Sequence, residues 1–354
     1  MASTNEPTKD GGTGLAYALY VLARNGAAPI GDLRYLADAR LDTLTTPIAK
    51  AQVAAALALM GDRARAERVY GVALASLNTK PDDFASEVDY GSTLRDAAAI
   101  VTLASEGGAA PATVQAAVQK VEAARAQLRP TSTQEDAWLL LAASAMAKDA
   151  GNLSLDVNGT PSQKPVYRTI RASDLKDPLR IANNGDNNVH AVVTVSGAPV
   201  TPEPAVSNGF KIERLTYTPD GDPVDPSQVK QNTRLVVLLK ITEAQPQFGR
   251  VIVADYLPAG FEIDNPHLVS SGDTGTLPWI TDAVDPVNTE FRDDRFTAAF
   301  DRKRGDPAVF TVAYVVRAVS PGQYIRPQAS VEDMYRPERY GRSETGNVQV
   351  VSGK

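Results

Sequence analysis

The sequence predicts a multidomain α and β protein in which helical hairpins come first and short β-strands follow. Three observations carry this. Up to about Gly151, Ala and Leu dominate and apolar residues recur at helical spacing. Beyond it Val, Thr, Pro and Gly rise and the apolar residues alternate in short runs. The 354 residues are enough for about two to three domains, each with a core of its own.

The first half reads as seven helices. GLAYALYVLAR, Gly14 to Arg24, stops at Asn25-Gly26, a pair that ends helices because it tolerates a left-handed backbone. The second covers Pro29 to Leu41. The third begins after Thr45 and Thr46 with Pro47 in its first turn and ends at Gly61. A fourth, Arg63 to Leu77, follows almost at once, and a polar loop runs from Asn78 to Tyr90. The fifth spans Ser92 to Ser105 and closes on Gly107-Gly108; the sixth runs from Pro111 to Leu128. The seventh starts at Ser132, where Ser132-Thr133-Gln134-Glu135 offers a capping box, and ends before Gly151. Short links between long helices make antiparallel neighbours, so these are αα-hairpins stacked as a solenoid or as part of a closed α/α toroid.

In the second half the expected strands are Ser154 to Val157, Val166 to Ile170, Leu179 to Ala182 and Ala191 to Ser196, then a Pro-rich linker at Thr201 to Pro204. A second set follows: Phe210 to Thr218, Arg234 to Thr242, Gly249 to Tyr256, Ala298 to Arg302, Ala308 to Arg317, Gly322 to Glu332 and Gly346 to Val351. Their spacing is that of a β-sandwich. VVLLKI and VFTVAYVVRA mix alternation with continuous apolar runs, as inner strands do. The small β unit that follows the helices makes the helical part readable as an insertion into it.

Composition narrows the chemistry. A net charge of -6, with Arg and Lys dispersed, argues against a nucleic-acid partner. With no cysteine there is no disulfide, thiolate ligand or Cys nucleophile, and two histidines, His190 and His267, are too few for a His-rich metal site. No cofactor or metal is expected. No apolar run reaches the roughly 18 residues of a membrane span, and MASTNEPTKDGG has no signal-peptide core. Either the chain is cytoplasmic or an export signal lies upstream in a longer protein; the second is preferred.

Candidate residues each have a bland reading. No G-x-S-x-G elbow supports a hydrolase. A glycosidase would need two facing carboxylates, for which Asp32, Asp38, Asp89, Asp96 and Glu135 are available, but acidic residues are ordinary on helix surfaces and caps. Trp138 is expected in the core, Arg292-Asp293-Asp294-Arg295 in a solvated loop, His267 on a surface turn and His190 at a strand start. Trp279 makes either local packing or a partner contact. Met334-Tyr335 places two large side chains just past a strand in a charged segment, where they either pack at the strand end or touch another domain.

Several segments together resemble the C-terminal part of bacterial alpha-2-macroglobulins: Tyr90 to Ser105 and Thr131 to Lys148 among the helices, and, with more weight, Val251 to Leu268, Phe291 to Arg302 and Tyr324 to Val350. The resemblance covers nearly the whole chain. It implies a disordered N-terminus at 1–11, the later helices of a thioester domain (an α/α toroid) at 12–150, returning strands of a CUB-type domain at 151–205, and a terminal macroglobulin-like β-sandwich at 206–354. It implies no catalytic residue in this chain and a role in a broad-spectrum protease trap that protects the cell envelope. The family's reaction needs a Cys-x-x-Gln thioester, which acylates an attacking protease. This sequence lacks Cys, so it is either a fragment that begins after the thioester or a member of a branch without one; seven helices are too few for a full toroid, which favours the fragment. In the family a Met-Tyr pair of the terminal sandwich covers the thioester, and it matches Met334 and Tyr335. The implied partners are target proteases, reached through the full-length protein, and upstream domains of the same chain, with a cell-wall synthase as a further candidate. The implied location is the periplasm, the parent being a lipoprotein at the inner membrane.

Overall fold

Alanine-rich helices can approach one another closely, and the first half of the chain is built on that. The computed structural model describes residues 11–78, 89–126, 130–149, 153–175, 177–185, 189, 193–264, 277, 279–280 and 282–353. The disordered N-terminus expected at 1–11 lies outside these apart from Gly11, as do His190, His267 and most of the polar loop before Tyr90. The chain divides into two units: one from the described residues of 1–82, 92–124 and 137–198, the other from those of 83–91, 125–136 and 199–354.

Seven α-helices are described: α1 (Thr13–Arg24), α2 (Ile30–Ala39), α3 (Pro47–Leu59), α4 (Arg63–Ser76), α5 (Thr93–Glu106), α6 (Pro111–Arg125) and α7 (Thr133–Asp149). In α3 every residue from Ala51 to Leu57 is buried, and in α5 every residue from Leu94 to Ala104. A helix apolar on all sides belongs in the interior, and small Ala side chains leave room for neighbours around it. By contrast α1, α2 and α4 bury one stripe each, with Leu19, Leu33 and Val69 among its members. The caps follow the sequence. Thr46 accepts from Ala49 N at 3.3 Å with Pro47 next to it, and Ser92 accepts from Arg95 N at 3.1 Å. Ser132 and Glu135 exchange their bonds reciprocally: Ser132 N donates to Glu135 Oε2 at 2.8 Å and Glu135 N to Ser132 Oγ at 3.3 Å. Trp138 packs half-buried against the helical core.

After the helices, β1 (Leu155–Val157), β2 (Thr160–Ser162) and β3 (Ile181–Asn183) make a small antiparallel sheet ordered β2-β1-β3. The strand expected at 166–170 is not one, nor are the described residues of the strand expected at 191–196. Val193 and Val195 are 85% and 90% exposed. Alternation alone makes no strand when neither face has a core to cover.

The second unit carries three sheets. One is ordered β10 (Asn288–Phe291), β11 (Arg295–Arg302), β8 (Gly249–Tyr256), β14 (Ala329–Asp333), β15 (Arg336–Arg342), β4 (Val206–Asn208). Another is β5 (Phe210–Tyr217), β7 (Arg234–Glu243), β12 (Val309–Ala318), β9 (Phe261–Ile263). The third is β13 (Gly322–Arg326), β16 (Gly346–Val351), β6 (Gln228–Lys230), in which β16 and β6 run parallel. Alternate residues of these strands fill one core. Val251, Val253, Phe296, Ala298, Phe300 and Val331 come from the first sheet. Leu235, Val237, Leu239, Ile241, Phe310, Val312 and Val316 come from the second. The long strand expected over Gly322 to Glu332 is two strands, broken around Pro327, which has no N–H for a ladder.

Tyr20 of the helical unit donates to Glu106 Oε2 at 2.6 Å. Its burial, then this bond and the Glu106 charge, push the phenol from 10.0 up to about 12 against the smaller pull of Arg24. The folded state therefore holds this proton more tightly than the unfolded chain. The resulting stabilisation is complete below pH 10 and is lost as pH rises through about 12. The expected outcome is that wild type and Tyr20→Phe differ in urea midpoint by a constant amount below pH 10 and by progressively less above it; the measurement is circular dichroism across that range.

Candidate functional site

Met334 and Tyr335 form the two-residue turn between β14 and β15, where Asp333 faces Arg336 across the pair. Asp333 makes the turn. Its Oδ1 accepts from the backbone N of Tyr335 and of Arg336, both at 3.2 Å, which is the side-chain bridging that favours Asp before tight turns. Met334 N donates to Arg250 O at 2.8 Å and ties the turn to β8. The ladder then slips, with Pro337, Glu338 and Arg339 as extra residues before Tyr340 regains Glu332. This bulge re-aims β15 and brings Arg339 back toward Asp333.

Beneath the turn lies a set of ion pairs. Asp333, 1% exposed, contacts Arg336 at 2.8 Å and Arg339 at 3.1 Å. Arg339 reaches Glu243 at 3.4 Å, and Glu243 takes Arg302 at 2.7 Å, with both members of that last pair almost fully buried. Arg302 also meets Asp306 at 3.5 Å. Arg336 donates further to Gln247 Oε1 at 2.9 Å and to the Phe248 carbonyl. Two guanidiniums lie over aromatic faces, Arg302 over Phe310 at 4.2 Å and Arg339 over Phe210 at 4.6 Å. Gly249 is small for a reason: a Cβ there would come 2.8 Å from Asp333 Oδ2.

Above the ion pairs sits an aromatic group. The Tyr335 ring stacks on Tyr90, centroids 4.1 Å apart and planes 18° from parallel, and Tyr90 stacks on Phe248 at 6.0 Å. Arg250 donates to Tyr90 Oη at 3.0 Å, packs against the Tyr90 and Phe248 rings, and pairs with Asp301. Tyr90 holds a left-handed backbone, φ 53°, followed by Gly91, whose N–H goes to Asp89 Oδ1 at 2.9 Å. For a bulky residue that conformation costs about 1–3 kcal/mol. Gln134 steadies the segment by donating to Asp89 O at 3.3 Å. Met334, beside these rings in sequence, is 46% exposed.

The structure thus separates the two candidates: Tyr335 is stacked on Tyr90 and Met334 is left about half exposed. Sequence reasoning missed Tyr90, Phe248 and Arg250. The only trace of Tyr90 is a large residue before Gly at the end of a polar loop. The carboxylates weighed for a glycosidase have other engagements. Asp38 pairs with Arg65 and Arg68, Asp96 with Arg95, Asp89 closes its own turn and Glu135 serves the cap; Asp32 is in the first turn of α2. Trp279 packs locally, 4.8 Å from Tyr217, with its indole N–H on Pro219 O at 3.2 Å. Arg292 to Arg295 turn between β10 and β11 with pairs to Glu290 and Asp294. No group of three or more His, Cys, Asp or Glu suited to a metal exists among the described residues.

Residues 209–338, which include the ion pairs and the Met334-Tyr335 turn, match the model of the bacterial alpha-2-macroglobulin MG10 domain. Over 95% of its length the chain is 32% identical to an alpha-2-macroglobulin of Xylella fastidiosa and 30% identical to that of Escherichia coli, and it spans 21% of the length of each. The fold agrees as well: a crystal structure of Salmonella alpha-2-macroglobulin reacted with methylamine superposes with a TM-score of 0.76 at 29% identity, covering 99% of this chain and 23% of that one. The chain belongs to the bacterial alpha-2-macroglobulin family.

Proposed function

We propose that the chain works as the C-terminal part of a bacterial alpha-2-macroglobulin-like protease trap in the cell envelope, and that Met334 and Tyr335 cover the trap's reactive thioester. The observation that carries this is the Met334-Tyr335 turn itself. Tyr335 is braced by the Tyr90 ring at 4.1 Å while Met334 stays 46% exposed, so a rigid turn offers apolar bulk that its own surroundings leave uncovered. An activated acyl group lasts only where such side chains exclude water and nucleophiles. The chain has no cysteine, so in this reading the thioester comes from sequence outside it. The chain is then no enzyme. Target proteases and upstream domains are its partners, a cell-wall synthase is a further one, and the trap sits in the periplasm as an inner-membrane lipoprotein. No described helix is long and apolar enough to cross a membrane. The second reading, an envelope interaction scaffold without inhibitor activity, fits the same fold, and a longer protein that shows no methylamine-induced thiol release would favour it.

Incubating the chain with methylamine is expected to give an unchanged mass; a covalent adduct would overturn the division of labour proposed here.

In a longer protein that carries this chain and a Cys-x-x-Gln thioester, Met334→Ala combined with Tyr335→Ala is expected to speed spontaneous thiol release, and Tyr90→Ala to do so by unbracing Tyr335. Met334→Ala alone should change stability by less than about 0.5 kcal/mol, because the side chain is largely outside the core. The measurements are free-thiol appearance and thermal melting side by side. A thiol-release rate equal to wild type in the double variant would rule out the covering role, and a lowered melting temperature with that unchanged rate would assign the pair to packing.

A further inference from the structure

The sandwich contains a second set of buried charges, and this one does not balance. Asp255 of β8, 1% exposed, lies 2.6 Å from Arg214 Nη2 of β5 and accepts from Tyr314 Oη of β12 at 2.7 Å. Arg326 of β13 lines the same cavity. Two guanidiniums, Arg214 buried and Arg326 partly so, therefore stand close to one buried carboxylate, which only Arg214 contacts directly. Asp225, the other acid close enough to act on Arg326, is exposed and has its oxygens on Ser227 N and Oγ at 2.9 and 2.8 Å. The set around Asp333 differs: there Arg302, Arg336 and Arg339 face Glu243, Asp333 and Asp306.

Two donors at the site are unused. Nε of Arg214 and Nε of Arg326 are both buried without a hydrogen-bond partner, and Asp255 Oδ1, though ion-paired to Arg214 Nη2, likewise accepts no hydrogen bond; the Arg214 side chain is only 6% exposed, its Nη2 also donating to Pro327 O at 2.6 Å. A buried donor without a partner is costly, and a charged one more so. Around them is a cavity of about 40 Å³, walled also by Asp255, Tyr314 and Thr216 and otherwise mostly by apolar side chains such as Leu235, Leu257, Phe261 and Val348. A single buried water needs about 10–15 Å³, so the space admits a small guest.

We infer that this cavity is a binding site for a small monovalent anion, chloride or a formate-sized carboxylate, held between Arg214 and Arg326. One negative charge cancels the excess; water would fill the space and leave the charge. A divalent oxyanion would over-neutralise the site and lose more hydration on entry. Burial first, then the Arg214 charge, lower the hold of Arg326 on its proton against the opposing pull of Asp255 and Asp225, which is the direction that a nearby anion would relieve. Because Arg214, Asp255 and Arg326 come from three different sheets, the guest would tie all three together.

The test is calorimetry of the full chain at fixed ionic strength with chloride, formate or the bulky gluconate as the anion. Chloride or formate is expected to raise the sandwich transition by roughly 3–6 °C at a tenfold excess over its dissociation constant, and Arg326→Met is expected to abolish the difference. A response to chloride alone names a halide guest, and to formate alone a carboxylate; both support the site. Equal melting in all three salts, or an unchanged response in Arg326→Met, overturns it. Should that variant not fold, the chlorine NMR linewidth of the wild-type chain decides: excess broadening reversed by bromide supports the site, and no excess broadening overturns it.

Discussion

One carboxylate, Asp333, is divided among two guanidiniums and two backbone amides, and the hairpin tip has its shape because of that division. Taking the charge out of water is expensive, and the geometry has to return the cost through several good contacts at once. It does so here by recruiting Arg336 and Arg339 from the returning strand, and the slipped register of β15 is what brings Arg339 within reach. Through Arg339 the bond pattern continues to Glu243 on β7 and Arg302 on β11, so a surface turn is anchored in two different sheets. Losing one partner of such a set costs about 3–5 kcal/mol.

The two units bury surface in different ways. In the helical unit the interior is rich in alanine beside leucine and valine, and few polar groups enter it: Gln52, Thr102, whose hydroxyl bonds Ala98 O at 3.0 Å, and Tyr70, whose hydroxyl reaches Leu103 O at 2.8 Å, are buried within helices. Backbone bonds are satisfied within each helix, so close packing of the helices calls for few polar partners inside. The sandwich carries arginines into its interior, and each needs an acid, a carbonyl or an aromatic face. That makes its geometry more specific and less tolerant of single changes.

Much of the fold was legible because periodicity is a direct image of burial. All seven helices and the bounds of Gly249 to Tyr256 and Gly346 to Val351 follow from apolar spacing. β15, RPERYGR, did not, since its side chains serve the ion pairs and its place in the sheet comes from backbone pairing with β14 and β4. The short strands β4, β6, β9 and β10 were missed because three or four residues carry too little pattern. The reverse error occurred at 166–170 and 191–196, where pattern existed without a surface to bury. For the site, Met334 and Tyr335 were visible as large residues in a charged segment, whereas Tyr90 is 245 positions away from Tyr335, a pairing that no local pattern encodes.

The parallel pairing of β16 with β6 has a consequence in time. Gln228 to Lys230 find their partners only at Gln349 to Val351, and Val206 to Asn208 only at Tyr340 to Arg342. Contacts of such long sequence separation form slowly, since the chain entropy is lost before the contact is gained. During synthesis the helices α1 to α5 meet neighbours made shortly before them, while the sandwich waits with unpaired edges until residue 351 has left the ribosome. Its early strands, LVVLLKI among them, are the stretch of this chain that most needs company during that wait.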